Sequence, residues 1–381
     1  MKTKFLLLLT IPLTLAALTG CTANNLSVIN PIDSTTSNIN SNVPSIIDDK
    51  SIGSSINNPS VSTNVSISTS NKPSSTSISN NTSLTIENIL KNGYDTTSYY
   101  QNVTNLTGDN LKTALNKLIF NHTKLNYDNL EEYMRITDRN WERSPNIDDE
   151  NPYMVLLYYT ANNDTSKQQL WNHYHTSSSK FGVPTSEMSW DKEHIWAKSN
   201  GFNSKGNPAY SDLHHLRAAD MRNNNTRSSL PFAELDNVKK EVKDFSGNTS
   251  GKTGTASGVS AYEPFDSYKG DVARALLYMA TCYISGSPSL SLTTGTNSSG
   301  SKWGFLHTLL KWNLEDLPDE FEIRRNSLVQ YYQGNRNPYI DHPEFACKVY
   351  NTSNADAKIK SACGNKYKKE CKTHSFLYSN E

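Results

Sequence analysis

The sequence predicts an α+β fold in which a few short strands are set into a largely helical domain. Three observations carry that expectation: runs with apolar residues at helical spacing on both sides of the chain's centre, a segment from Asp271 to Ile284 that is apolar on more than one face, and two short strand-like segments followed by a helical one between Ser189 and Phe232.

The first residues belong to a different kind of structure. Met1 to Lys4 is positively charged, Phe5 to Leu18 is an apolar run too short to span a membrane comfortably, and Leu18-Thr19-Gly20-Cys21 follows. Residues 1–20 therefore read as a secretion signal. The small residues before a cysteine resemble the bacterial lipobox, which implies cleavage before Cys21, lipidation of Cys21 and anchoring on the outer face of a membrane of the bacterial envelope. An ordinary secretory signal is the alternative. From Thr22 to about Ser83 the chain is Ser, Thr and Asn with scattered Ile and Val and no aromatic residue. Such a stretch buries too little apolar surface to offset its ordering entropy, so residues 21–83 are expected to form a disordered tether.

In the remainder, Leu84, Ile86, Ile89 and Leu90 and then Leu111, Leu115, Leu118 and Ile119 have helical spacing, with Thr107-Gly108-Asp109 as a start signal for the second run. Tyr153 to Tyr159 is short, apolar and aromatic, and reads as a buried strand. Leu170 to Ser189 reads as a loop, Ala233 to Lys243 as a helix and Gly247 to Gly258 as an exposed loop. Asp271 to Ile284 is apolar on more than one face, so a central buried helix is expected. A loop from Ser285 to Ser301, helices over Lys302–Asn313 and Asp319–Tyr332, and a turn at Gly334 to Pro338 complete the pattern.

The formal net charge is zero, which excludes a global basic field. Between Asp191 and Arg227 six Lys and Arg face four Asp and Glu, so any binding of phosphate must be local. Five cysteines occur. With Cys21 assigned to lipid, Cys282 lies in an apolar run and reads as a buried thiol, while a disulfide among Cys347, Cys363 and Cys371 is compatible with export; the pairing is left open.

The central stretch carries the chemistry. His194 can take a proton near neutral pH, and the adjacent Glu193 carboxylate is a hard oxygen ligand suited to Mg²⁺, Mn²⁺ or Ca²⁺. Neighbours on a regular strand point to opposite faces, so one site can use both only where the strand ends or bulges. Broken β geometry is therefore expected at Glu193 to Ile195. Tyr210 to Leu216 alternates and suits a second strand. Asp220 is a natural N-cap, and Asn224 and Arg227 share a face of the helix behind it. Asn223, Asn224 and Asn225 are poor helix formers, a cost more readily tolerated where an amide oxygen is needed as a ligand.

Glu193-His194-Ile-Trp, Asp212-Leu-His-His-Leu-Arg217-Ala-Ala-Asp220 and Asn224-Asn-Thr-Arg227 resemble the endonuclease I family of secreted bacterial nucleases, with a ββα-metal (His-Me finger) core. Leu106-Thr-Gly108, Lys269-Gly-Asp-Val-Ala-Arg274 and Gln333-Gly-Asn-Arg-Asn-Pro-Tyr-Ile-Asp-His-Pro-Glu344 extend the likeness over roughly residues 97–350. The resemblance implies a single nuclease domain over 84–350, with 351–381 as a C-terminal extension. By position it implies His194 as general base, Glu193 and Asn224 as ligands of one divalent cation, most readily Mg²⁺, and Arg227 as the basic residue after the asparagine. It further implies a monomer that hydrolyses phosphodiester bonds in DNA, with RNA a further candidate, leaving 5′-phosphates and showing little base specificity. Two departures stand out. Ala218 replaces a frequent proline, and the asparagine run leaves Asn223 or Asn225 as alternatives to Asn224.

Other assignments are weaker in their residues. Arg217, like Arg274, suits either phosphate binding or pairing with acids, and Arg217 and Arg227 are the candidate substrate contacts. Asp212, His214 and His215 read as support for the site, in the manner of outer-shell partners. Asp341-His342-Pro-Glu344 looks like a second ligand cluster or a brace for the preceding turn. Trp190 and Trp196 read as core. Two other functions fit parts of the chain: an inactive nucleic-acid-binding surface lipoprotein or adhesin, and a phosphodiesterase for small substrates.

Overall fold

The computed structural model describes residues 85–141, 155–156, 158, 170–171, 173–174, 189–244, 247–285, 289–294 and 300–364. The signal, Cys21, the tether and Cys371 lie outside these residues.

Short helices open the described chain. Thr85 caps α1 (Ile86–Asn92) by accepting from the Asn88 N–H, and α2 (Thr97–Tyr100) leads to α3 (Gly108–Ile119). In α3 the buried residues Leu111, Leu115 and Ile119 repeat every four positions, the spacing of one helical stripe. α4 (Leu130–Thr137) buries Leu130 and Met134 in the same way. β1 (Val155–Leu156) pairs antiparallel with β2 (Leu170–Trp171). β3 (His173–Tyr174) runs parallel to β4 (Ser189–His194), which pairs antiparallel with β5 (Leu216–Asp220). Tyr158 joins the far side of β5 through its own N–H and carbonyl.

α5 (Met221–Arg227) follows β5 directly. An antiparallel sheet comes next: β6 (Asn237–Lys243), β7 (Thr249–Ala256) and β8 (Val259–Pro264). Both the expected helix at Ala233–Lys243 and the expected loop at Gly247–Gly258 are therefore strands. The glycines explain the second case, because a Cβ on Gly251 would collide with the Tyr262 hydroxyl and one on Gly254 with the Asn237 carbonyl. They allow close approach of neighbouring strands rather than a turn.

α6 (Lys269–Cys282) is buried from Gly270 to its end, as apolar residues on more than one face require, with Arg274 and Asp271 paired to each other within it, and it packs against α3 and the later α7. β9 (Ser291–Leu292) pairs with β10 (Lys302–Trp303) inside segments expected to be a loop and a helix start; the helix, α7 (Leu306–Glu315), begins later. α8 (Glu320–Gln333) is capped by Asp319 and ends at Gly334 with φ 86°. α9 (Pro338–Asp341), α10 (Glu344–Tyr350) and α11 (Ala357–Ala362) complete the chain. A Cys347–Cys363 disulfide ties α11 to α10, and Cys282 is a buried free thiol. This is a mixed α+β fold, as expected.

The main apolar core surrounds α6. A smaller cluster of Trp190, Leu213, Leu216, Ala218, Leu130, Met134 and Val329 seats the β4–β5 pair on α4 and α8. Trp190 and Trp196 are both core residues. Arg336 spans the turn after α8 to pair with Asp341, so Asp341 braces that turn.

Candidate active site

β4 and β5 pair in one unbroken register, from Trp190 opposite Asp220 to His194 opposite Leu216. Asp220 then caps α5 by accepting the Asn223 N–H at 2.9 Å. Strand, strand and helix thus bring Glu193, His194, Asn224 and Arg227 to one open cleft of ≈460 Å³. The broken β geometry expected at Glu193 to Ile195 is absent at Glu193 and His194, and the Ile195 N–H still donates across to the His215 carbonyl at 3.0 Å. The ladder is regular through His194, and the strand simply ends there. Arg227 holds that end: its guanidinium donates to the Glu193 carboxylate at 2.8 Å, the His194 carbonyl at 2.9 Å and the Ile195 carbonyl at 2.5 Å. Tyr210 to His215 is not the expected second strand. Residues Pro208–Ser211 form a 3₁₀ turn, and the Asp212 carboxylate accepts the His214 N–H, closing a turn that delays β5 to Leu216.

His194 is only 7% exposed. Its Nε2 lies 2.9 Å from the Tyr210 carbonyl, which can only accept, so the proton sits on Nε2 and Nδ1 is left as an acceptor. The ring stacks on Tyr127 at 5.6 Å and 17° and meets Tyr210 edge-on at 4.9 Å. Burial, and then the neighbouring His215, Lys198 and Arg227, push its pKa well below the usual imidazole value, against the pull of the Tyr210 hydrogen bond. The imidazole is therefore neutral at pH 7, the form a base requires.

The asparagine run divides its work. Asn223 is fully buried: its amide donates to Asp220, and its oxygen accepts from the Ser250 hydroxyl at 2.9 Å, fastening α5 to β7. Asn224 and Asn225 line the cleft. The Asn224 amide nitrogen donates to Asp191 at 3.3 Å, which turns its carbonyl oxygen away from Asp191. Glu193 and Asn224 thus offer a carboxylate and an amide at one cleft, a hard donor set that fits a divalent cation of the Mg²⁺, Mn²⁺ or Ca²⁺ type.

The arginines are engaged elsewhere. Arg217 does not line the cleft; it donates to Asp138 at 3.0 Å, approaches Asp271 at 3.5 Å and lies over the Tyr158 ring. Arg227 lines the cleft but is 1% exposed and occupied as described, with its face on Phe232. Arg274 pairs with Glu322 and Asp271.

His214 and His215 donate to the carbonyls of Asn335 and Ala209, and burial lowers both pKa values to about 4. Asp212, His122 and Cys282 place possible ligand atoms within 4.8 Å of one another. The Asp212 carboxylate already accepts from Tyr278, Tyr283, Gln333 and the His214 N–H, and Cys282 is a thiol raised well above its usual pKa by burial. Asp212 is therefore a hydrogen-bonded hub under the second segment, with four donors on its two carboxylate oxygens. A larger hollow of ≈670 Å³ beside Phe305, His307 and Lys311 contains none of the residues singled out above. Sequence reasoning passed over Tyr127, Asp191 and Lys198. Of these, Asp191 could have been found from its position two residues before Glu193, on the same face of the strand.

Residues 107–344 match the family model of endonuclease I. The chain belongs to the endonuclease I family. Two extracellular ribonucleases, from Bacillus amyloliquefaciens and Bacillus subtilis (strain 168), are 38% and 36% identical to it over 261 residues, which is 67% of this chain and 79% of each relative. Endonuclease I proteins are metal-dependent nucleases of the ββα-metal type, so this chain is a phosphodiester hydrolase of an extracellular nuclease family. Among the described residues no helix is long and apolar enough to cross a membrane.

Proposed function

We propose that the protein is a lipid-anchored extracellular endonuclease that cuts DNA and RNA with little sequence preference and leaves 5′-phosphates. His194 is its general base, and Glu193 with Asn224 holds one Mg²⁺. The observation that supports this reading is the Nε2–H of His194 donated to the Tyr210 carbonyl, which leaves Nδ1 as the acceptor nitrogen of a ring that lines the same cleft as Glu193 and Asn224.

His194 Nδ1 takes a proton from water as the water oxygen bonds to phosphorus and the bond to O3′ breaks. Tyr210 fixes the tautomer, and the stacked Tyr127 ring limits rotation of the imidazole. Arg227 holds Glu193 and the backbone of His194 and Ile195 in one arrangement, so ligand and base keep their relation. A divalent cation held by Glu193 and Asn224 would supply positive charge to stabilise the phosphoryl oxygens and the leaving O3′. Because these contacts address the sugar-phosphate backbone, base readout is not needed.

The anchor rests on Leu18-Thr19-Gly20-Cys21, with residues 21–83 as tether, 84–350 as a monomeric nuclease domain and 351–381 as an extension. Plasmid DNA and structured RNA, each incubated with the protein in Mg²⁺ or in EDTA, test the reading. Cleavage of both that EDTA abolishes is expected, with 5′-phosphorylated ends. Metal-dependent binding without cleavage would overturn it.

A further inference from the structure

Among the described residues, the cations lining the cleft are Lys192, Lys198 and Arg227. Two of them are committed to the protein. Lys192 donates to the Tyr127 carbonyl and to Glu131, both at 3.0 Å, and its side chain is only 3% exposed. Arg227 is bound to Glu193 and to two backbone carbonyls. Lys198 differs from both. It is exposed, and among the described residues no carboxylate lies within 4.0 Å of it and the contacts of its ammonium are with Tyr210 alone, a hydrogen bond to the hydroxyl at 3.2 Å and the ring at 5.4 Å.

That hydroxyl belongs to the residue whose carbonyl holds His194. The two ends of Tyr210 therefore fix the ammonium and the imidazole on the same side of the cleft. From this geometry we infer that Lys198 is the substrate-phosphate contact of the site: a solvated ammonium that exchanges its weak bond to Tyr210 for a charged one to a backbone phosphate beside the scissile bond. The inference rests on the nuclease reading above, and it transfers to Lys198 a role that the sequence suggested for Arg217 and Arg227. An exposed ammonium held only by the uncharged Tyr210 side chain loses little on binding an anion, whereas buried Arg217 and Arg227 would each have to abandon a carboxylate.

The test is binding without turnover. A labelled single-stranded RNA and a labelled single-stranded DNA are titrated by fluorescence polarisation with three proteins in Mg²⁺ at several KCl concentrations: His194→Ala, His194→Ala with Lys198→Gln, and His194→Ala with Lys198→Arg. Lys198→Gln is expected to weaken binding about tenfold, the loss of one charge-assisted contact. The log–log salt slope should fall by about 0.7, one phosphate on a single strand. Lys198→Arg should retain both values. Equal affinity and slope with Gln at 198, while the His194→Ala parent binds, overturns the assignment and leaves the nuclease reading standing. No binding by the parent overturns both.

Discussion

Arg227 donates to the Glu193 carboxylate at 2.8 Å, joining the last residue of α5 to the penultimate residue of β4. The pair is buried, and the same guanidinium carries the backbone of His194 and Ile195. It lets a strand that stays regular through His194 present a carboxylate and an imidazole to one cleft. Its removal should therefore damage fold and site together. Arg227→Met should lower unfolding stability by about 3–5 kcal/mol, because the buried Glu193 charge loses its guanidinium and the carbonyls of His194 and Ile195 lose their donor. Thermal and urea unfolding measure this, and a loss below about 1 kcal/mol would mean the guanidinium is not bracing the strand end.

Asn223 and Asn224 should separate stability from metal binding. Asn223→Ala removes the side-chain donor to Asp220 and the 2.9 Å acceptor of the Ser250 hydroxyl, leaving Asp220 the backbone N–H of position 223 and Ser250 the Val242 carbonyl at 3.3 Å, and should cost about 1–3 kcal/mol of stability. It should leave Mg²⁺ affinity within about twofold. Asn224→Ala should do the reverse, weakening Mg²⁺ binding in calorimetric titration at nearly unchanged melting temperature. Equal Mg²⁺ affinity in Asn224→Ala would move the ligand role to Asn225.

The histidines set the response to acid. Burial lowers the pKa values of His214 and His215 from the ordinary imidazole value of about 6.5 to about 4, so between those values the unfolded chain binds more protons than the folded one. Stability then rises with pH across that window and falls as pH drops below 6.5, by about 1.4 kcal/mol per pH unit for each histidine. Urea unfolding at a series of pH values checks the slope; a flat profile between pH 6.5 and 4 contradicts it. His194 is lowered in the same direction, so the acid limb of kcat/KM should lie below pH 6.5.

The Cys347–Cys363 bridge closes a 16-residue separation and ties α11 to α10. Replacing both cysteines with serine should cost about 3 kcal/mol. The cleft is built from other elements, so turnover at low temperature should be unchanged. Melting temperature and initial rates, taken on the same preparation, distinguish the two effects.

Much of the site was legible because its residues are close in sequence. Asp220 as a cap, β4 ending near His194 and Asn224 with Arg227 on one helical face all follow from local spacing. The buried helix α6 was legible from its apolar faces. What failed depends on partners distant along the chain. Arg217 is fixed by Asp138, and the glycines of β7 are explained only by Tyr262 and Asn237 across the sheet. The Asp212 turn mimicked a strand because alternation says nothing about a side chain that accepts its own backbone two residues on. Lys198 stood out only once its fellow cations had been seen to be occupied.

The central claim is that His194 is the base of a metal-dependent hydrolysis at this cleft. Its most direct test is the single-turnover rate of His194→Ala on an RNA or DNA substrate in saturating Mg²⁺, with folding checked by circular dichroism. The rate should fall by about 10²–10⁴-fold with substrate binding retained. A folded His194→Ala protein that cleaves at the parent rate would contradict the account.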